Sequence, residues 1–176
     1  TIGCEVSEWD GEKIVRSMNL DELEQETVII NTCAVTDLAQ QASEKVVERL
    51  THIYPNKKFF ITGCGVDYNK GYYDKYGTAL GNEEKFKIEN YGVSARHGNF
   101  NLPPNIHRNV GTVKIEDGCY NNCAYCVIHK IRPHYMMPYE KIHAQIEALL
   151  LQGKKNIQLI GTEVSSYNSD GMHLTE

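Results

Sequence analysis

The sequence predicts an α/β fold, in which a three-layer domain on a parallel sheet is followed by the opening β-loop-α-β unit of a barrel. Short runs of β-branched and aromatic residues alternate with segments whose apolar residues recur every three or four positions, the pattern of strands joined by crossover helices. A turn-rich stretch separates two such regions. We therefore expect an α/β domain over residues 1–100, a linker over 101–110 and the start of a second domain over 111–176. A complete barrel takes roughly 200 residues or more, so we expect the second domain to be truncated in this chain.

Two apolar runs predict the buried strands of the first domain, at 28–30 and 59–61. Each is followed by a predicted turn that contains a cysteine, Asn31-Thr32-Cys33 after the first and Gly63-Cys64-Gly65 after the second.

Two helices are predicted around these strands. One runs over about 37–52, where Thr36 or Asp37 can cap it and Pro55 ends it. Its expected apolar face is Ala39, Ala42, Val46 and Leu50. The other covers 10–18, with Trp9, Ile14 and Met18 expected on one side.

The second domain is predicted to begin with a strand at 111–115, a cysteine-containing loop and then a helix. Pro138 suits the first turn of that helix, which runs to about residue 152 and stops at Gly153. Its expected apolar face is Ile142, Ile146, Leu149 and Leu150. A second strand follows at 156–160, which completes one β-loop-α-β unit.

The composition is typical of a globular protein, with 41% hydrophobic residues, 23% charged residues and a formal net charge of −5. No apolar run approaches the roughly 18 residues that a transmembrane helix needs. No secretory signal is visible, but the chain begins at Thr1 rather than Met, so we expect it to be a piece of a longer protein.

One stretch, from Gly118 to Tyr139, contains no acidic residue but includes His129, Lys130, Arg132 and His134. A solvated surface would account for it, whereas beside a cofactor site it would suggest contact with phosphate groups.

Six cysteines in 176 residues point either to disulfides in a secreted protein or to thiolate ligands in a reducing cytoplasm. The helical and strand patterns can bury a core without disulfides, so thiolate ligands fit better.

Three of the cysteines, Cys119, Cys123 and Cys126, form a C-x3-C-x2-C run on the loop after the 111–115 strand. Three thiolates at this spacing can hold three corners of a cubane 4Fe-4S cluster, which leaves the fourth iron free to bind a small molecule. The alternative is a structural zinc site, closed by four ligands, with His129 as the fourth.

The other three cysteines are expected at one edge of the first sheet. Cys33 and Cys64 each follow a predicted strand directly, and Cys4 would follow a strand lying upstream of residue 1. Ligands bind at the carboxyl edge of parallel sheets, so the three thiols could converge there despite their separation in sequence. A buried, purely structural role is the alternative for each of them.

The cysteine loop resembles the signature of the radical S-adenosylmethionine (SAM) superfamily. The resemblance implies that the open iron binds SAM and that electron transfer cleaves SAM into methionine and a 5′-deoxyadenosyl radical. It also implies cofactor contacts for Tyr125, at the position that lies against adenine, and for Gly161, Thr162 and Glu163, where the superfamily receives the methionine amino group. Core packing for Tyr125 and an ordinary loop for the other three are the alternatives.

The whole chain resembles the methylthiotransferases that act on tRNA and on a ribosomal protein. The motifs that carry this resemblance are Thr1-Ile-Gly-Cys4-Glu-Val-Ser-Glu-Trp-Asp10-Gly-Glu12, Asn31-Thr-Cys-Ala-Val-Thr36, Thr62-Gly-Cys64, Gly81-Asn-Glu-Glu84 and Lys114-Ile-Glu-Asp-Gly-Cys119. The residues that follow Asn31 and Gly81 are most similar to those of the branch that modifies N6-threonylcarbamoyladenosine beside the tRNA anticodon.

The resemblance implies an auxiliary 4Fe-4S cluster on Cys4, Cys33 and Cys64, hence two clusters and SAM as cofactors. It implies that a methylthio group replaces hydrogen at C2 of the adenine ring. The expected partners are the anticodon stem-loop of tRNA and an electron donor such as flavodoxin or ferredoxin, in the cytoplasm and without a membrane. The alternatives are isopentenyladenosine in tRNA or a ribosomal-protein aspartate as substrate, or a non-catalytic Fe–S or zinc module. No residue is assigned as catalytic.

Some positions depart from the family pattern. Where the family has Pro-aromatic-x-Arg-Gly and then Ser-Arg-Pro, this chain has His129-Lys-Ile-Arg132-Pro133 and then Met136-Met137-Pro138. Arg132 is thus retained, while the glycine and the second arginine are replaced. Near Cys4, Ser7-Glu8 replaces Asn-Gln. These changes bear on substrate contacts more than on cluster binding.

Overall fold

The computed structural model describes residues 1–24, 26–96, 103 and 109–175. The first half contains, in chain order, α1 (Glu5–Ser17), β1 (Thr27–Thr32), α2 (Asp37–Ile53), β2 (Lys58–Gly63), α3 (Cys64–Tyr68), α4 (Lys70–Tyr73) and β3 (Thr78–Leu80). The second half contains β4 (Val110–Lys114), β5 (Glu116–Asp117), α5 (Ile128–Ile131), β6 (Tyr135–Met136), α6 (Tyr139–Leu151), β7 (Asn156–Ile160), β8 (Asn168–Ser169) and β9 (Met172–His173). Short 3₁₀ turns lie at Leu20–Glu22, Ile88–Tyr91 and Val164–Ser166.

The first sheet is parallel, in the order β1-β2-β3, and helices cover both of its faces. On one face, Ile14 and Met18 of the α1 region pack with Phe60 and Leu80. On the other face, α2, α3 and α4 pack against the sheet. These helices contribute Val47, Val66 and Tyr73, which pack on the sheet residues Ile30, Phe59, Ile61 and Ala79. Successive side chains of a strand point to opposite faces of the sheet. Along β2, Phe60 therefore packs on the α1 side, and Phe59 and Ile61 pack on the other side. The predicted three-layer α/β class is confirmed.

The second sheet pairs β4 with β7 in parallel, from Val110 opposite Asn156 to Lys114 opposite Ile160, with α6 as the crossover. Its core contains Val113, Ile115, Met137, Ile142, Leu149 and Tyr167. The predicted β-loop-α-β unit is therefore present at the expected positions. The expected linker at 101–110 falls mostly outside the described residues.

Two helical details differ from the sequence prediction. α1 begins five residues earlier than expected, and Trp9 does not share a cluster with Ile14 and Met18 but packs on Ile160 of β7. α1 therefore lies between the two sheets. The fully buried positions of α2 are Ser43 and Val47, one residue along from the predicted face.

Two further expectations are corrected. The expected turn at Gly63-Cys64-Gly65 is instead the end of β2 followed directly by α3, which begins at Cys64. On α6, Gln145 is buried while Leu150 is exposed. Among the described residues, no helix is long and apolar enough to cross a membrane.

Candidate functional site

Cys33 and Cys64 lie side by side at the carboxyl edge of the first sheet. Cys33 follows β1 and Cys64 follows β2, and the last residues of these strands, Thr32 and Gly63, are register partners. Both cysteines are buried. Adjacent parallel strands are about 4.8 Å apart, so the two residues necessarily leave the sheet next to each other.

The backbone of Cys33 is held by a serine that the sequence analysis did not single out. The Ser43 hydroxyl accepts from the Cys33 N–H at 2.9 Å and donates to the Cys33 carbonyl at 3.0 Å. Gly3 approaches from the other side at φ +123°, where an added Cβ would lie 3.1 Å from the Cys33 sulfur. Ser43 is a polar residue within the apolar face of α2, and this break in the pattern could have indicated from the sequence that it makes a buried hydrogen bond.

Cys4 is the exposed N-cap residue of α1, and its thiol donates to the Ser7 hydroxyl at 3.8 Å. The strand expected before Cys4 would lie upstream of residue 1, outside the described residues. The Ile2 N–H donates to the Asn31 carbonyl at 2.8 Å, which aligns residues 1–4 with the end of β1.

The pKa of Cys33 connects these three thiols. Burial raises the pKa of the Cys33 thiol; a backbone hydrogen bond from Val35 opposes this, and the charges of Cys64 and Cys4 raise it further. The three sulfurs therefore share one electrostatic neighbourhood.

Cys64 has two nitrogen donors directed at its sulfur. The Arg132 Nε–H donates to the Cys64 Sγ at 3.2 Å, and the Asn82 side-chain amide donates to it at 3.9 Å. Ile131 packs on Cys64 and Ala34. The helix α5, which begins two residues after Cys126, thus connects the C-x3-C-x2-C loop with the edge of the first sheet.

The loop with Cys119, Cys123 and Cys126 lies between the short paired strands β5 and β6. Cys119 donates to Glu163 Oε2 at 2.9 Å and accepts from the Asn121 N–H at 3.4 Å. The hydrogen bond with Glu163 raises the pKa of the Cys119 thiol. The Cys126 N–H donates to the Cys123 carbonyl at 3.0 Å, which closes a turn between those two cysteines.

Residues 161–163 lie against this loop. The Thr162 hydroxyl accepts from the Gly118 N–H and donates to Asp117 Oδ1, both at 3.2 Å. The Glu163 N–H donates to Glu116. An added Cβ on Gly161 would lie 2.2 Å from Glu116 Oε1, so only glycine fits there without movement.

Tyr125 is exposed to solvent, whereas Arg132 of the basic stretch is buried. Tyr125 is 91% exposed, which rules out core packing for it in this structure. Arg132 is buried, so it is not part of a solvent-facing phosphate surface. His134 stacks on Tyr120 with ring centroids 3.6 Å apart.

A cleft of about 540 Å³ is lined by Cys4 of the first cysteine group, by Arg132, and by Gly161 and Thr162, which follow β7. Cys119, Cys123 and Cys126 do not line it. The cleft is therefore shared by residues from both halves of the chain.

All six cysteines are free thiols, which fits ligand chemistry and excludes disulfide pairing in this structure. Within the described ranges, no three His, Cys, Asp or Glu side chains gather tightly enough to hold a single metal ion. A cubane cluster places its thiolates at separate corners, farther apart than the ligands of one ion. Two neighbouring buried thiols, a third nearby and N–H donors aimed at a sulfur are compatible with such a cluster.

Beneath the cleft lies a buried ionic cluster that sequence reasoning did not identify. Asp10 accepts from Lys85 and Lys114 at 2.6 Å and from Arg132 at 2.8 Å. Asp117 accepts from Lys114 at 2.5 Å and also from Arg132. Burial acts against the charged form of Asp117, but Lys114 and Arg132 outweigh it and hold its pKa at about 2.

Part of the chain matches a family model. Residues 1–78 match the family described as Uncharacterized protein family UPF0004. Threonylcarbamoyladenosine tRNA methylthiotransferase MtaB of Rickettsia prowazekii (strain Madrid E) is 26% identical over 97% of this chain and 44% of the relative. The tRNA-2-methylthio-N(6)-dimethylallyladenosine synthase of Thermodesulfovibrio yellowstonii is 31% identical over 95% of this chain and 45% of the relative. The chain thus spans a little less than half the length of these relatives.

A solved structure shares the fold. The radical S-adenosylmethionine methyltransferase TsrM from Kitasatospora setae, solved with tryptophan substrate and a SAM analogue, superposes with a TM-score of 0.52. The match covers 92% of this chain and 40% of that one at 12% identity, so it bears on the fold alone. Along almost its whole length the chain is thus similar to methylthiotransferases, and its residues 1–78 match the UPF0004 family.

Proposed function

We propose that this protein is a radical SAM methylthiotransferase that inserts a methylthio group at C2 of N6-threonylcarbamoyladenosine, next to the tRNA anticodon. The observation that carries the proposal is that Arg132, six residues after Cys126, donates to the Cys64 sulfur and lines a cleft together with Cys4 and residues 161–162. An enzyme that makes a radical at one cluster and delivers sulfur from another needs the two thiol groups near each other.

In this proposal the cysteines hold two 4Fe-4S clusters. Cys119, Cys123 and Cys126 bind the one that leaves an iron open for SAM, and Cys4, Cys33 and Cys64 bind the auxiliary one. The clusters and SAM supply the radical and the sulfur chemistry when bound. The free state of all six thiols and the N–H donors at Cys64 support this assignment.

The chain's own residues would position SAM. Gly161 and Thr162 line the cleft, and the Glu163 carboxylate reaches Cys119 and Asn121, so it lies where an ammonium group beside the cluster could be received. Tyr125 is exposed on the same loop and free to lie against an adenine ring. These four contacts remain part of the proposal.

The substrate branch rests on the residues that follow Asn31 and Gly81 and on the names of two relatives that are each 26% identical. The 31% identity to the dimethylallyladenosine synthase favours a second candidate, isopentenyladenosine in tRNA. Mass spectrometry of nucleosides from tRNA of a strain lacking the gene would decide between them. Loss of the 2-methylthio form of threonylcarbamoyladenosine is expected, and loss of only the isopentenyl form would select the second candidate.

The remaining parts of the proposal follow from this reaction. The expected partners are a tRNA anticodon stem-loop and a low-potential electron donor such as flavodoxin or ferredoxin, in the cytoplasm, where thiolate ligands stay reduced. We also propose domains over 1–100 and 111–176 joined by a linker over 101–110. The two buried apolar clusters of the first half and the separate one of the second half support this division.

Metal content tests the cluster assignment. Anaerobic reconstitution should give about eight irons for each chain, with matching labile sulfide. Cys123→Ala should halve the iron and abolish SAM cleavage by dithionite-reduced protein. Cys33→Ala should also halve the iron but leave SAM cleavage intact. Stoichiometric zinc without iron uptake would refute the proposal and favour a zinc-binding module.

A further inference from the structure

Arg132 is the residue that physically joins the two candidate cluster sites. It lies six positions after Cys126, at the end of α5, yet its Nε–H donates to the sulfur of Cys64 at 3.2 Å. Its other two nitrogens bind Asp117 and Asp10. The guanidinium is buried and fixed on three sides, so its donor to sulfur cannot swing away without breaking two ion pairs.

A buried cluster of basic and acidic side chains lies beside Cys64. Its ion pairs join Lys85, Lys114 and Arg132 to Asp10 and Asp117. Of the three basic side chains, Arg132 is the one for which the structure gives a hydrogen bond to a cysteine sulfur. Arg132 is therefore the member of this cluster that acts directly on Cys64.

Hydrogen bonds to the sulfurs of an iron–sulfur cluster tune its reduction potential, because they stabilise the more negative, reduced form. A fixed cation in a buried setting acts in the same direction. No comparable side-chain donor from an Arg or Lys to Cys33, Cys4 or the loop cysteines is found among the described residues.

We propose that Arg132 is a positioning residue that raises the reduction potential of the auxiliary cluster through its Nε–H···Sγ bond to Cys64. This inference rests on the proposed function, since it requires a cluster on Cys4, Cys33 and Cys64. The redox step is the gain of one electron from a low-potential one-electron donor, with no proton transferred and no bond made or broken at Arg132.

The test isolates the auxiliary cluster in a Cys123→Ala background, which should retain about four irons. Dye-mediated redox titration followed by electron paramagnetic resonance then measures its midpoint potential. Arg132→Lys keeps a cation but lacks the fork that reaches Cys64 and both carboxylates. It should lower the equilibrium constant for reduction at least tenfold, which is about 59 mV for a one-electron couple. Arg132→Met, which also removes the charge, should lower it further.

Lys85→Met is the matched control, because it removes a cation from the same cluster without touching a cysteine. It should shift the potential less than Arg132→Lys does. An equal or larger shift in Lys85→Met, or an unchanged potential in both Arg132 variants with iron retained, would overturn the role of the hydrogen bond.

A second measurement observes the hydrogen bond directly in protein that keeps Arg132. In protein labelled with ¹⁵N-arginine, pulsed electron paramagnetic resonance of the reduced auxiliary cluster should detect a coupled nitrogen that disappears in Arg132→Lys. Absence of this coupling would refute the inference even if the variants fold poorly. Absence of iron in the Cys123→Ala background would instead count against the proposed cluster, and with it the inference.

Discussion

Glu116 and Asp117 are neighbouring buried carboxylates in opposite electrostatic surroundings. Asp117 is paired with Lys114 and Arg132. Glu116 accepts the backbone N–H of Glu163 with one oxygen, while its other oxygen has no hydrogen-bond partner. Burial raises the pKa of Glu116, and the adjacent negative charge of Asp117 adds to this effect. The surroundings therefore raise the pKa of Glu116 and lower the pKa of Asp117.

This difference predicts opposite effects for the same isosteric change. A carboxyl whose pKa is raised on folding stabilises the fold below its unfolded pKa, about 4.3, and that contribution is lost as pH rises through the folded pKa. Glu116→Gln should remove this pH-dependent loss of stability, because an amide can keep the hydrogen bond from the Glu163 N–H without carrying a charge. At neutral pH its free energy of unfolding should equal or exceed that of the wild type, as urea denaturation at pH 5 and pH 8 would measure.

Asp117→Asn is the control for that experiment. It leaves Lys114 and Arg132 without one of their buried anions, which typically costs about 3–5 kcal/mol. If Glu116→Gln destabilised the protein as much as Asp117→Asn at both pH values, the raised pKa of Glu116 would be wrong.

At the scale of single residues, sequence spacing predicted the candidate cysteine ligands but not the residues that hydrogen-bond to them. C-x3-C-x2-C and the positions of Cys33 and Cys64 after strands could be recognised because ligand geometry constrains sequence spacing. Ser43 and Asn82 touch these cysteines through contacts between residues 10 and 18 positions apart. Only tertiary packing defines such pairs, so no local pattern indicates them.

At the scale of elements, the long periodic segments were predicted and the short ones were not. β7 occupies the predicted residues, and β1 and β2 extend the predicted runs by a few residues at their ends. β3 has only three residues, and α3 follows Gly63, whose φ of +94° resembles a turn. α1 began earlier than expected because its N-cap is Cys4, which carries none of the usual capping signals.

The start of α2 offers an element-scale prediction. The Thr36 hydroxyl accepts from the Ala39 N–H at 3.2 Å and satisfies one of the free donors of the first turn. Thr36→Ala should therefore lower the free energy of unfolding by about 1 kcal/mol. Thermal unfolding followed by circular dichroism would measure it.

Thr51→Ala is a matched control on the same helix. The Thr51 hydroxyl bonds to the Val47 carbonyl one turn back, a contact that does not stabilise helices, and alanine has the higher helix propensity. This variant should be neutral or slightly more stable. Equal losses in Thr36→Ala and Thr51→Ala would show that the cap contributes nothing specific.

For the whole molecule, the sequence predicts two domains joined by a linker. In the structure, buried ion pairs also connect the two halves of the chain. Asp10 of α1 binds Lys85 from the first half and Lys114 and Arg132 from the second. These residues are 75 to 122 positions from Asp10. Charged residues usually lie on the surface, so their burial here could not be read from the chain. The consequence is that the two cysteine groups are held in a fixed relation.

Asp10→Asn tests whether this ionic cluster couples the two halves. Removing the central anion leaves three cations facing a neutral amide, at a typical cost of about 3–5 kcal/mol. Trp9 is the sole tryptophan, and it packs on Ile160 across the boundary, so its fluorescence reports on the docking of the two cores. In the wild type, fluorescence and far-ultraviolet circular dichroism should follow one urea transition. In Asp10→Asn, the fluorescence transition should come first, because the halves separate before the sheets melt.

Lys58→Ala provides the comparison, since it removes an exposed ion pair with Glu24 at 3.3 Å that touches neither cysteine group. Exposed pairs contribute about 0–1 kcal/mol, so its two transitions should stay coincident and nearly unshifted. If Asp10→Asn also unfolded in one coincident transition, the ionic cluster would be a local feature of stability. The fixed relation between the thiol groups would then depend on the apolar contacts of Val6, Trp9 and Ile160 and of Ala34, Cys64 and Ile131.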